Sequence, residues 1–242
     1  MNGLDVHVGL RERKKQRARQ LIAETAQRLF RERGFDAVTV DEVAREAEVS
    51  RMTVFNYFPT KEDLFYVGLE LYEERLLEAI RERPEGHSIL AAFVGFVTDS
   101  QGLLAGDDPE VADRLREINR LIAESPALLA REQQIYARYT DALERLIAEE
   151  TRAGPDEIAP WVAANAMIGL HRALVHYVRR EVLRGESDFR GLRRRLRNQA
   201  RQATALLEPA VGELGVSGAS ITGAADAGAI ALADAMASPP GR

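Results

Sequence analysis

The chain has 242 residues, 45% of them hydrophobic and 29% charged, with no cysteine and a formal net charge of −5. That is enough apolar material for one soluble core or two smaller ones, and the missing thiols exclude disulfides, thiol nucleophiles and thiolate metal centres, consistent with a reducing cytoplasm. The longest apolar stretch, ILAAFVGFV at 89–97, is about half of the ~20 residues a membrane span requires, and the basic N-terminus has no apolar segment of the secretory kind.

The net charge hides an asymmetry. Residues 1–62 carry 12 Lys and Arg against 10 Asp and Glu, and the remainder 21 against 28, so the front is +2 and the rest −7. The sharpest part is Arg11, Arg13, Lys14, Lys15, Arg17 and Arg19, opposed only by Glu12. A solvated helix face explains such a run as well as a polyanion partner does.

In chain order, residues 1–10 form an N-terminal extension that we expect to be flexible, and a first helix runs over roughly 11–33. Its apolar positions Ile22, Ala26, Leu29 and Phe30 fall on one face, and Gly34 stops it. TVDE at 39–42 is a capping box for a short second helix to about 47, Ser50 caps a third of similar length, and Thr60 with Asp63 caps a fourth expected to run as a long rod over 61–82. Only Glu48 and Val49 separate Ala47 from Ser50. Two short helices joined so tightly cross steeply, as in a helix-turn-helix.

On a helical wheel the third helix turns Val54, Phe55 and Phe58 inward and leaves Met52, Thr53, Asn56 and Tyr57 outside. That outer face contains no acid. Asn56 can pair with adenine, Thr53 and Met52 can meet a thymine methyl, and Arg51 can reach guanine or a phosphate.

The ordered series Phe30, Gly34, Thr39, Val43, Ala44, Val49, Ser50, Phe55, Tyr57, Phe58, Lys61, Glu62 and Leu64 resembles the TetR family of bacterial transcriptional regulators. The resemblance covers residues 25–65. It implies an all-α protein with a three-helix helix-turn-helix DNA-binding domain at 11–60 and a larger helical effector-binding and dimerisation domain at 61–211. It further implies a cytoplasmic homodimer on a near-palindromic double-stranded operator, a repressor released by a small molecule. Carried over residue by residue, Arg51, Met52, Thr53 and Asn56 face bases while Thr39, Tyr57 and Lys61 hold phosphates. Two positions depart from the family pattern: Glu48 stands where Gly is usual in the turn, and Phe55 where Tyr is frequent.

Beyond the rod, helical patterns cover 87–104, 109–122, 126–153, 158–184 and 188–209, and the Ala/Gly-rich tail 212–242 reads as disordered. Phe93, Phe96, Tyr136, Tyr139, Trp161, Met167 and His171 combine bulk with a few polar tips and are the candidate effector pocket. Their modest aromatic content suggests an apolar or acyl-chain-like effector more than a planar cation. Ala163, Met167, Leu170 and Leu174 form one apolar stripe and Leu192, Leu196, Ala203 and Leu207 another, expected to build a four-helix dimer interface.

Catalysis and metal binding rank low. His171 and His176 lie about 140° apart on a helix, so they share no face, and no cofactor motif follows a strand. The rival classes are a constitutive DNA-binding protein without an effector and, further off, a helical carrier or enzyme.

Overall fold

The computed structural model describes residues 4–98 and 109–211. Among them are ten helices and no strand: α1 (Leu4–Arg33), α2 (Val40–Glu46), α3 (Arg51–Tyr57), α4 (Lys61–Phe65), α5 (Leu69–Arg81), α6 (Ile89–Thr98), α7 (Pro109–Glu124), α8 (Pro126–Thr151), α9 (Ala159–Leu183) and α10 (Phe189–Val211). Two compact units divide between Val67 and Gly68. The expected disordered tail at 212–242 lies outside the described residues.

In the first unit, α1 to α4 close around Ile22, Phe30, Phe35, Val43, Val54, Phe58, Leu64 and Phe65, each 3% exposed or less. Phe30, Phe35 and Phe65 make mutual ring contacts, with centroids 5.0, 5.7 and 6.1 Å apart, which fixes α1 against α4. The helix starts are set locally. Thr39 and Thr60 complete capping boxes with Glu42 and Asp63, and the Ser50 hydroxyl accepts from the Thr53 amide. Each such cap contributes about 1 kcal/mol.

Two expectations about helix length change. α1 begins at Leu4 instead of near residue 11, so the basic run rides on a helix and the expected flexible extension is helical from Leu4. No proline interrupts 4–33, and extending a nucleated helix fixes one residue per added hydrogen bond. The expected rod over 61–82 is two helices: α4 ends with Tyr66 as its C-cap, and Gly68, at φ 93°, is the N-cap of α5. A left-handed residue cannot continue a right-handed helix, and glycine adopts it without penalty.

In the second unit, α9 is the central element, packed against α7, α8 and α10 and more lightly against α6. Eleven α9 residues are buried, from Pro160 to Val182. α8 is capped by Ser125, with Pro126 at its first turn, where its missing N–H costs nothing.

Arg179 reaches from α9 to α8 and α7. Its guanidinium bonds both Glu132 carboxylate oxygens, at 2.5 and 3.3 Å, and its Nε donates to Asn119 Oδ1 at 3.2 Å. The Asn119 amide in turn donates to the Leu115 carbonyl at 2.8 Å.

Candidate DNA interface and effector site

The turn between α2 and α3 places Glu48 at φ 54°. Its amide is bonded to the Arg45 carbonyl, and the next amide, of Val49, to the Ala44 carbonyl at 2.9 Å. The turn therefore forms with Glu where glycine is usual, at a cost of about 1 kcal/mol.

α3 then presents its outer face. Met52 is 68% exposed. Arg51 and Asn56 are also exposed, and Thr53 and Tyr57 half-buried. Phe55, expected inward, is only half-buried; the Arg51 guanidinium covers its ring at 5.4 Å. Arg51 also pairs with Asp41 at 3.2 Å, but both side chains are more than half exposed. So open a pair contributes little and leaves the guanidinium free to exchange partners.

Lys61 sits over the Phe35 ring at 4.2 Å, and its ammonium donates to the Asp36 carbonyl at 3.5 Å. Partial burial lowers its pKa, opposed by Asp36, Glu62 and Glu42. Arg19 lies over the Phe58 ring at 5.2 Å, at the C-terminal end of α3. Arg13, Lys14, Lys15 and Arg17 are exposed on α1.

Thr39 forms the capping box expected of it. Its hydroxyl accepts from the Glu42 amide and donates to Glu42 Oε2 at 2.9 Å, while its own amide donates to the same oxygen at 2.8 Å. That amide bond, the Arg33 guanidinium at 2.8 Å and the hydroxyl hold the Glu42 pKa down at about 2. A phosphate accepts hydrogen bonds and donates none at neutral pH. Thr39 can serve one with its hydroxyl only by releasing Glu42.

The second unit holds a buried ring cluster. Tyr72 of α5 contacts Phe96 of α6 at 5.1 Å, Tyr139 of α8 at 5.7 Å and His171 of α9 at 5.8 Å, the last stacked at 29°. Tyr136 meets His171 edge-on at 5.8 Å. The Tyr139 hydroxyl donates to the Leu69 carbonyl at 3.0 Å. In contrast, the Tyr72 hydroxyl and His171 Nδ1 are buried with no hydrogen-bond partner among the described residues. Burial raises the pKa of all three tyrosines and lowers that of His171 to about 4, so the imidazole is neutral at pH 7.

Of the expected pocket residues, the structure gathers Phe96, Tyr136, Tyr139 and His171. Phe93 is fully buried in α6 but makes none of the cluster's ring contacts found among the described residues. Met167, also buried, lines a small cavity with Ser88, Ile89, Leu90, Ile147 and Ala163. Trp161 is 54% exposed and stands on the surface of its unit. Tyr72, the centre of the cluster, was missed by sequence reasoning because it lay in the helix read as a connecting rod. Its phase with Leu69 and Leu76, all three buried, was the available signal.

Most of the expected dimer stripe lies in the core of the single chain. Ala163, Leu170, Leu174, Leu192 and Leu196 are buried within the single chain, and Ala203 and Leu207 are half-buried. α9 is covered by α8 and α10 of its own chain, so its apolar stripe belongs to the core. Its exposed face carries Trp161, Val162, Asn165, Gly169, Ala173 and His176.

Comparison with known proteins follows this division. Residues 22–66 match the model of bacterial regulatory proteins of the tetR family. Residues 88–210, half of the chain, match the MftR C-terminal domain. The chain belongs to the TetR family. Among its TetR-family relatives are the HTH-type transcriptional regulator TcmR of Streptomyces glaucescens, 28% identical over 76% of this chain and 81% of that one, and the putative mycofactocin biosynthesis transcriptional regulator MftR of Mycobacterium tuberculosis, 28% identical over 66% and 79%. Of solved structures, GusR of Salmonella enterica aligns with a TM-score of 0.46 at 17% identity, over 81% of this chain and 95% of that one. As a TetR-family member the chain is a DNA-binding transcriptional regulator, and these relatives are regulators, not enzymes. Among the described residues no helix is long and apolar enough to cross a membrane.

Proposed function

We propose that this regulator is a homodimeric repressor that leaves a near-palindromic operator when a small, uncharged effector enters the second unit. Support for base reading comes from α3: an acid-free outer face with Arg51, Met52, Thr53 and Asn56 on a helix whose start is fixed by Ser50 and whose inner side is anchored by Val54. Tyr57 and Lys61 then serve phosphates, and Thr39 contributes only when Glu42 yields. Arg13, Lys14, Lys15 and Arg17 add sequence-independent attraction.

The outer face of α9 is the dimer surface in this proposal. Val162, Asn165, Gly169, Ala173 and His176 recur every three or four residues, all exposed. Gly169 and Ala173 let a second helix approach closely, with Trp161 at one end to bury. Two copies related by a two-fold axis present two α3 helices, and a palindrome with half-sites about one DNA turn apart matches that symmetry.

The observation that carries effector control is the buried cluster with two unsatisfied polar atoms. Selection of duplexes from a random pool tests the DNA arm: enrichment of one palindrome is expected, and enrichment of a single half-site would remove the dimeric operator. Reciprocity tests the switch, because an effector that weakens operator binding tenfold must itself be bound tenfold less tightly by the operator complex.

A further inference from the structure

A buried hydroxyl and a buried ring nitrogen without partners are uncommon, since each forfeits the hydrogen bonds it made with water. Here two lie on neighbouring stacked rings. Tyr72 and His171 come from α5 and α9, and Phe96, Tyr136 and Tyr139 enclose them from α6 and α8. Four helices thus converge on one spot that is aromatic on its walls and polar at two atoms.

The charges nearby are already committed. Glu132 and Arg179 satisfy each other, and Arg172 donates to Gln133 and covers the outer side of Tyr136 at 5.4 Å. His171 is held neutral by burial alone. Arg172, whose Gln133 partner is neutral, is exposed beyond the Tyr136 ring, so a ligand that reaches the two unpartnered atoms touches none of these charged side chains directly. An anion would lose its hydration with no cation to replace it, and a cation would find no free carboxylate.

We infer that the Tyr72–His171 pair is a recognition site for an uncharged planar ring carrying a hydroxyl or carbonyl at its edge, resting on the effector reading above and naming the class of molecule. The ring edge supplies the hydrogen bonds that Tyr72 and His171 lack, and the ring faces replace the contacts that Phe96 and Tyr139 make with Tyr72 and that Tyr136 makes with His171. Hydroxyl and imidazole can each take either role, donor or acceptor, so phenols and cyclic ketones both qualify. A flexible acyl chain leaves both atoms unpaired, which sets this class against the acyl-chain-like effector suggested by composition.

The test uses the intact chain at neutral pH and calorimetric titration with 2-naphthol, naphthalene, 2-naphthoate and decanoate. The expected order is 2-naphthol tightest, with naphthalene and 2-naphthoate at least about tenfold weaker, a difference of the size one buried hydrogen bond commands. Tyr72→Phe should lower the 2-naphthol to naphthalene ratio several-fold, His171 remaining to serve the hydroxyl, while naphthalene still binds, which also certifies that the variant is folded. The same substitution should raise the melting temperature of the ligand-free protein, because it deletes an unsatisfied hydroxyl; a group needed only for packing would move it down or not at all. An unchanged ratio or a lowered melting temperature overturns the site. Tighter binding of decanoate than of 2-naphthol, indifferent to Tyr72→Phe, overturns the ligand class while leaving effector control standing. Binding of 2-naphthol in the predicted order with no change in operator affinity supports the site and overturns its role as an effector switch.

Discussion

The two units solve opposite problems. In the first, the side chains proposed to act lie on the surface, and the polar groups around them are satisfied within a few residues: Thr39 by Glu42, Ser50 by Thr53, Thr60 by Asp63. In the second, the ring cluster is inside, and its Tyr72 hydroxyl and His171 Nδ1 meet no polar partner among the described residues. A surface reader can be finished before its partner arrives, because water substitutes for DNA until then. A buried receptor is shut off from bulk water, so a polar group left without a partner there is a cost to the folded state.

The sharpest way to break this contrast is to put charge into each helix face of α9 and α10. Leu196→Asp buries a carboxylate at a position 2% exposed, so it should cost about 3 kcal/mol or more and unfold the second unit. Val162→Asp, on the outer face of α9, should leave the melting temperature nearly unchanged and yield a monomer by sedimentation. A folded monomer from Leu196→Asp would return the interface to the inner stripe.

Acid should separate the units next. The His171 pKa falls from 6.5 to about 4 on folding. Below pH 6.5 the unfolded chain gains a proton there that the folded chain refuses, so stability drops as pH falls from 6.5 towards 4, by up to about 3 kcal/mol. His171→Phe should flatten that part of the curve. Glu42 acts in a lower window: its pKa is depressed from 4.5 to about 2, so its contribution persists above pH 4.5 and is lost as pH falls towards 2. Denaturant melts at pH 6.5, 5 and 4 discriminate the two, and a parallel loss in His171→Phe would show that another group is responsible.

Within the first unit, Asn56→Ala should cost about 1 to 3 kcal/mol on the preferred operator and relax one base pair per half-site. Lys61→Ala should weaken all sequences alike and reduce the salt slope by about one unit. Competition across single-base operator variants checks both. The smallest effect expected is at the turn, where Glu48→Gly should stabilise the chain by at most about 1 kcal/mol, read as a small rise in melting temperature, with little change in affinity.

How legible each unit was in the sequence follows the same contrast. The caps, the tight turn and the short helices 2 and 3 are local, decided by residues three or four apart, and they could be read almost to the residue. The break at Gly68 is hidden because Phe65, Leu69, Tyr72, Leu76 and Ile80 keep an apolar rhythm across it, and periodicity alone does not register one left-handed residue. The stripes on α9 and α10 are legible as apolar, but amphipathicity reports that a face is covered and not by what, and within the single chain most of these residues are core. The cluster around Tyr72 joins residues up to 99 positions apart, from Tyr72 to His171. No spacing rule reaches that far, and from sequence Phe96, Tyr136, Tyr139 and His171 stand out only as bulky residues, three of them with polar tips.

The Arg179 network has a historical consequence. Asn119, Glu132 and Arg179 sit on three helices, and the Glu132 side chain is only 5% exposed. Losing Arg179 first strands a buried carboxylate and costs about 3 to 5 kcal/mol, whereas exchanging the whole set for well-packed apolar residues can be nearly neutral. The order of substitution is thereby constrained: a lineage departs from this arrangement by neutralising Glu132 before it surrenders the guanidinium. Relatives of this chain should accordingly hold a carboxylate at the Glu132 position only where an arginine faces it, while an arginine facing an amide marks a lineage caught midway.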